Sequence, residues 1–346
     1  MTEPAQQFAS DNQAGICPEA LAALVAANAG GHVPSYGDDG WTVALRERMC
    51  RLFETDTAQT FLVFNGTAAN ALALSALCRP FEATICHAFS HIETDEAGAP
   101  EVFSGGAKLL TVDTPGGKLT LDAVDAAARR YEGFHHVKAR ALSLTQSTEL
   151  GTIYSLAELG ALSAVARRHG LRVHMDGARF ANAVAALGCA PADASWRAGV
   201  DVLSFGLTKN GLALGEAIVF FDAALAESFA WRVKQMGQLA SKMRFLAAPW
   251  LAMLEDDTWL RHARHANAMA ARLAAGLAPV AGVRLLHTVE ANAVFADLPV
   301  AVQARLRAKG WRFYTFLGET GCRLMCAWDT TPETVDRFVA DIALSA

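Results

Sequence analysis

The stretch Asp201–Gly211, DVLSFGLTKNG, decides how the chain is read. Val202, Leu203 and Phe205 make a short apolar strand, and Ser204, Thr208, Lys209 and Asn210 follow in a tight polar turn closed by Gly211. An ammonium directly after a buried strand is partly desolvated, which disfavours its charged form and makes Lys209 a candidate amine nucleophile. A lysine in a surface hairpin is the plainer reading, so the rest of the chain has to decide.

Around this stretch, short apolar runs alternate with amphipathic ones. Strands are expected at 61–64, 83–87, 107–112, 139–145, 171–175, 200–205 and 216–221, and helices at 120–132, 155–169 and 178–187. That alternation predicts an α/β domain with a mainly parallel sheet, whose ligands gather at the carboxyl ends of the strands. The residues just past those ends are reactive ones: Gln146 to Glu149, Asp176 to Arg179, and Gly206 to Lys209. Residues 223–276 read as largely helical. Beyond them, strands at 283–288, 292–298, 311–317 and 322–328 around helices at 299–309 and 332–344 predict a small α+β domain. The expected division is an N-terminal segment 1–35, a large domain 36–250 and a small domain 251–346.

Composition narrows the function. The 346 residues are 52% hydrophobic and 19% charged with a net charge of -5, enough for a large core and without a basic run for nucleic acid. Seven scattered cysteines with no CxxC pair fit reduced thiols better than a disulfide framework or a zinc site. No signal-peptide-like run opens the chain and no apolar stretch is long enough to span a bilayer, so a cytoplasmic protein with no membrane partner is expected.

Two further segments carry chemistry. Phe61 to Phe64 leads through Asn65-Gly66-Thr67 into a helical run from Ala68 to Cys78, and a strand, glycine turn and helix in that order make an anion site. Neither a Walker loop nor GxGxxG is present, and an ordinary cap by Thr67 is the alternative. The acidic run His91 to Glu96 (HIETDE) matches no zinc or calcium spacing, and its imidazole could stack on a flat cofactor. A lysine, a strand-end carboxylate at Asp176, a phosphate cradle at Gly66-Thr67 and a stackable His91 together fit pyridoxal 5'-phosphate, which needs each of them.

These motifs, with Ser10-Asp11-Asn12, Tyr36-Gly37-Asp38-Asp39, Asn65 to Asn70 and His174 to Arg179, resemble the pyridoxal-phosphate-dependent low-specificity L-threonine aldolases over nearly the whole chain. The resemblance implies the aspartate-aminotransferase-like fold (fold type I) and a homodimer or homotetramer. It also implies cleavage of L-threonine, L-allo-threonine and other β-hydroxy-α-amino acids to glycine and an aldehyde. Lys209 would bind the cofactor as a Schiff base and Asp176 its ring nitrogen. Gly66 and Thr67 would hold the phosphate, with Ser204, Thr208 and Arg244 nearby, and His91 would stack on the ring. Ser10, Tyr36, Arg179 and Arg323 would contact substrate, Arg179 also touching the cofactor. Thr148 stands where many threonine aldolases have a second histidine, so the base acting on the β-hydroxyl is left between His91 and a water. The alternatives are a β-eliminating lyase of the tryptophanase kind, an alanine racemase-like activity, a non-catalytic pyridoxal-phosphate-binding protein and a metal-dependent lyase.

Overall fold

The computed structural model describes residues 6–130 and 133–345; the end of the helix expected at 120–132 and the chain termini lie outside them. Ser10 caps a single 3-10 turn, Asp11–Gln13, and Pro18 opens α1 (Pro18–Ala29) where its missing N–H leaves no bond unmade. Helix α2 (Gly40–Leu52) begins at Asp39, whose side chain accepts the Thr42 N–H at 2.9 Å, and buries Leu45, Met49 and Leu52. Strand β1 (Gln59–Val63) passes through Asn65 into α3 (Gly66–Leu77). The α3 cap is Asn65, which accepts the Ala68 N–H, and not Thr67, so the helix starts two residues earlier than its apolar run indicates.

The alternation then continues through β2 (Glu82–His87), the short α4 (His91–Thr94) and α5 (Ala99–Phe103), β3 (Lys108–Val112), α6 (Leu121–Arg129), β4 (Lys138–Thr145), α7 (Leu156–Arg168), β5 (Arg172–Gly177), α8 (Phe180–Leu187), β6 (Val202–Phe205) and β7 (Glu216–Phe220). Helices α9 (Phe229–Gln235), α10 (Arg244–Leu254) and α11 (Thr258–Leu277) follow. The chain ends with β8 (Arg284–Leu285), β9 (Ala293–Asp297), α12 (Val300–Ala308), β10 (Tyr314–Leu317), β11 (Gly321–Met325) and α13 (Pro332–Ala343).

The first seven strands form one sheet in the order β1-β7-β6-β5-β4-β2-β3. β3, β2, β4, β5 and β6 pair in parallel, while β7 runs antiparallel to both β6 and β1. The carboxyl end of β1 therefore lies on the same edge as those of β2, β4, β5 and β6, together with the first residue of β7. Strands β2, β5, β6 and β7 are buried almost throughout, as helices on both faces require. A second, antiparallel sheet has the order β10-β11-β9-β8 and a separate core of Val294, Leu324, Phe338 and their neighbours. Phe8 belongs to that second core: its ring lies 4.7 Å from Phe338, and its backbone bonds to Arg312 and Met325.

Phe205, the last residue of β6, aims the turn that follows. Its ring meets Phe53, Phe180, Trp250 and Trp259 edge-on at centroid distances of 5.9, 5.4, 5.0 and 5.5 Å. Gly206 then passes so close to Ala178 that a Cβ would sit 2.8 Å from its Cα, which requires glycine and brings the turns after β5 and β6 into contact. Asn210 closes the turn by donating to the Trp259 carbonyl at 2.8 Å.

Candidate active site

A cavity of about 290 Å3 opens at the carboxyl edge of the large sheet. Gly66 and Thr67 come from the start of α3, His91 from the turn after β2, Asp176 from the end of β5, and Ser204, Thr208 and Lys209 from β6 and its turn. Residues dispersed over 144 positions of sequence thus share one wall, because parallel strands deliver their ends to one edge.

Burial pushes the Lys209 amine below its ordinary range, helped by the Arg179 guanidinium and opposed by Asp11, Asp176 and Glu216. Its Nζ makes no hydrogen bond or ion pair among the described residues. Burial alone would raise the Asp176 carboxyl; the charges of His91 and Lys209 and the Ala178 N–H outweigh it and hold Asp176 ionised. Its two oxygens are placed by Ala178 N–H at 3.0 Å and Asn70 Nδ2 at 2.9 Å.

Asn70 also donates to Glu96 Oε1 at 2.8 Å, and His91 Nδ1 lies 2.8 Å from the same oxygen. One hydrogen-bonded chain therefore runs Asp176, Asn70, Glu96, His91. The hydrogen bond to Glu96 raises the His91 pKa against its own desolvation. With Nδ1–H donated to the carboxylate, Nε2, with the exposed Asp95 carboxylate 3.5 Å away, is the ring nitrogen left to accept a proton. Glu149, largely buried, accepts the His91 backbone N–H at 2.8 Å and the Thr145 hydroxyl at 3.1 Å, and burial pushes it up to about 7.

The expected substrate residues divide. Arg179 is engaged side-on with Asp11, Nε to Oδ2 at 2.7 Å and an Nη to Oδ1 at 2.8 Å, while Asn292 donates to Asp11 at 3.0 Å. Arg323 on β11 lies over the Phe316 and Tyr314 rings at 4.9 and 5.6 Å, with a buried Nε that has no hydrogen-bond partner. Burial lowers its pKa, and the nearby Arg179 charge adds to this. Ser10 accepts the Asn12 N–H at 3.2 Å as a cap and does not line the cavity; its neighbour Asn12 does. Tyr36 is half exposed under Lys234 and lines a different cleft, and Arg244 stacks on Phe245 outside the cavity with its buried Nε unpartnered.

Ser204 lines the cavity, but its hydroxyl is held 3.0 Å from Nε2 of the buried His174, whose other ring nitrogen meets Ser143 at 2.9 Å. Burial depresses His174 to about 4, keeping a neutral imidazole under Asp176. Asn70, Glu96, Glu149 and Glu216 were absent from the expected site. An asparagine inside the Ala/Leu-rich α3 and the last carboxylate of HIETDE were the available signals.

The residues fit pyridoxal phosphate. Thr208 Oγ1 is buried beside Glu216 and meets no other partner among the described residues, Gly66 faces open space, and the start of the 12-residue α3 brings the positive end of its dipole to the same cavity. Among the described residues no cluster of His, Cys, Asp and Glu could hold a metal, and no helix is long and apolar enough to cross a membrane.

Comparison with known proteins agrees with this site. Residues 7–301 match the model of the beta-eliminating lyase family. A low specificity L-threonine aldolase of Pseudomonas aeruginosa is 56% identical over 99% of both chains, and one of a Pseudomonas species is 54% identical over 99% of this chain and 98% of its own. A solved threonine aldolase of Leishmania major superposes with a TM-score of 0.92 at 30% identity, covering 99% of this chain and 100% of that one. The expected α/β fold is therefore the fold found, and the chain belongs to the beta-eliminating lyase family, alongside the low-specificity L-threonine aldolases.

Proposed function

We infer that this chain is a carbon-carbon lyase that uses pyridoxal phosphate to cleave L-threonine, L-allo-threonine and related β-hydroxy-α-amino acids to glycine and an aldehyde. The observation that carries this is the single cavity joining a desolvated Lys209 to the chain Asp176–Asn70–Glu96–His91. Lys209 is the residue that would hold the cofactor aldehyde, Asp176 its ring nitrogen, and Gly66, Thr67 and Thr208 its phosphate. Bound there, the cofactor supplies an electron sink for the pair released when the Cα–Cβ bond breaks.

The chain's own residues do the remainder. Arg323, without a carboxylate partner, takes the substrate carboxylate, with Arg179 held beside it by Asp11. Clamping that group fixes which bond at Cα faces the reactive direction. His91, oriented through Nδ1 by Glu96, takes the β-hydroxyl proton at Nε2. The Thr148 hydroxyl, standing where many threonine aldolases have a second histidine, is occupied with Thr152 at 2.8 Å, which leaves this proton to His91.

The reading extends to a cytoplasmic homodimer or homotetramer serving threonine and glycine metabolism. Its units are the N-terminal segment 1–35, the large domain 36–250 and the small domain 251–346; Tyr36 and Arg244, which lie outside this chain's own cavity, would reach the site of a second copy across the subunit interface. The test is product analysis with L-threonine, L-allo-threonine and their D-forms. Glycine and acetaldehyde in equal amounts from the L-forms are expected. Pyruvate and ammonia from serine or tryptophan, with no glycine, would instead make the chain a β-eliminating lyase.

A further inference from the structure

Glu216 is a buried carboxyl that the chemistry above does not use, and it lines the same cavity as Lys209 and Thr67. It opens β7, paired with Val63 of β1 on one side, while its neighbour Ala217 pairs with Phe205 of β6 on the other. The sheet register therefore sets it between the turn after β1, which carries Gly66 and Thr67, and the turn after β6, which carries Thr208 and Lys209. Its Oε2 accepts the Leu207 N–H at 2.8 Å.

This is a carboxyl group set into an anion cradle. As a carboxylate it would face a phosphate at close range in a site of low dielectric, where like charges repel strongly. As a carboxylic acid it would offer a hydrogen atom in place of that repulsion, and donor–anion bonds are among the stronger ones available. We propose that Glu216 acts as a neutral carboxylic acid donating a hydrogen bond to the cofactor's phosphate, which makes cofactor retention depend on pH. The proposal rests on the pyridoxal-phosphate reading above.

The surroundings support it. Burial raises the Glu216 pKa to about 7 even before an anion arrives, against the pull of the Thr208 hydroxyl, the Leu207 and Thr208 N–H groups and the Lys209 amine. The charged groups sharing its cavity are Lys209, Asp176 and His91; α3 presents only Gly66, Thr67 and Ala69 there, and β1 and its turn present Phe64 and Asn65. Lys209 is the cation that draws Glu216 toward ionisation, and condensation with the cofactor aldehyde would occupy that amine. A phosphate raises the group further, so binding takes up one proton at pH values above about 7.

The experiment titrates the cofactor-free protein with pyridoxamine phosphate, which carries the phosphate and cannot condense with Lys209, at several values between about pH 6 and pH 9. Fluorescence quenching gives the dissociation constant for the wild type, Glu216→Gln and Glu216→Ala, with thermal unfolding confirming that each is folded. Titration of the free phosphate affects all three alike and cancels in the ratios. The wild type should lose about tenfold in affinity per pH unit above 7 relative to Glu216→Gln, whose amide donates at every pH. Glu216→Ala should be flat with pH and weaker than the wild type near pH 6. Parallel curves for all three proteins would overturn the proposal. The same wild-type pH loss with phosphate-free pyridoxamine would overturn it too, because the phosphate would then not be the group sensed. If no protein binds at any pH, the cofactor reading falls and takes this inference with it.

Discussion

The two ends of the large sheet carry similar side chains to opposite effect. At the amino end, Arg140, Arg167, Arg172, Trp196, Asp201 and Asp222 line a cavity of about 510 Å3, larger than the 290 Å3 one at the carboxyl end. There Arg172 meets Asp201 at 3.0 Å and Asp222 at 3.2 Å, the three side chains being 20–37% exposed. These three charges are paired with one another and open to solvent, so little reactivity is stored. At the carboxyl end, an arginine Nε is buried without a hydrogen-bond partner, the Lys209 amine is desolvated, and four carboxyls are displaced from their ordinary range. Cavity size thus fails to find the chemistry, and uncompensated burial finds it.

Substitutions at the two ends should separate them sharply. Lys209→Ala should abolish the yellow absorbance of a lysine-bound cofactor and lower glycine release on the order of 10^4-fold or more; near-normal turnover would make the two ends equivalent. Arg323→Gln should reduce kcat/KM about 10- to 100-fold, mostly through KM, the loss of one charge-assisted contact to the substrate carboxylate. An equal loss in Arg179→Gln would be complicated by freeing the buried Asp11, so the KM-against-kcat split with thermal unfolding decides between them.

Glu149→Gln should stabilise the protein in alkaline conditions. Its folded-state pKa is raised to about 7 by burial. Between the ordinary carboxyl range and 7 the folded state keeps a proton that the unfolded state releases, so the wild type loses stability as pH rises across that window. Gln retains the acceptor for the His91 N–H and removes this penalty, giving a gain of about 1–3 kcal/mol at pH 8 that shrinks toward zero near pH 4, read by denaturant unfolding. At the amino end, Arg172→Ala should cost less than about 1 kcal/mol and leave turnover unchanged.

Much of the scaffold was legible in the sequence because a buried parallel strand has to be apolar and a turn has to follow it. The expected 200–205 and 216–221 strands begin or end within two residues of β6 and β7, and the α3 boundary slipped only because Asn65 competes with Thr67 as a cap. Lys209, Asp176, His91, Gly66 and Thr67 could be placed together because each immediately follows or ends a strand. The links between them could not. Asn70 reaches Asp176 across 106 positions and Glu96 across 26, and nothing local to a helical asparagine states which way it points. Ser204 shows the converse: a hydroxyl beside the lysine turn invites a cofactor role, but strand pleating directs it beneath Asp176 to His174. Glu216 was hidden by its place at the head of a strand, where a charged residue ordinarily faces water.

Phe8 is packed into the small core and Asp11, three residues on, grips Arg179 at the mouth of the site. That short span works as a mechanical tether. A protease cut between them, or a bulky fusion ahead of Phe8 that strains its docking, would be felt as a slackened guanidinium without touching a single group in the cavity. Where a tag is attached therefore becomes a variable of the assay, and a cleavable linker in this span would make the segment a switch.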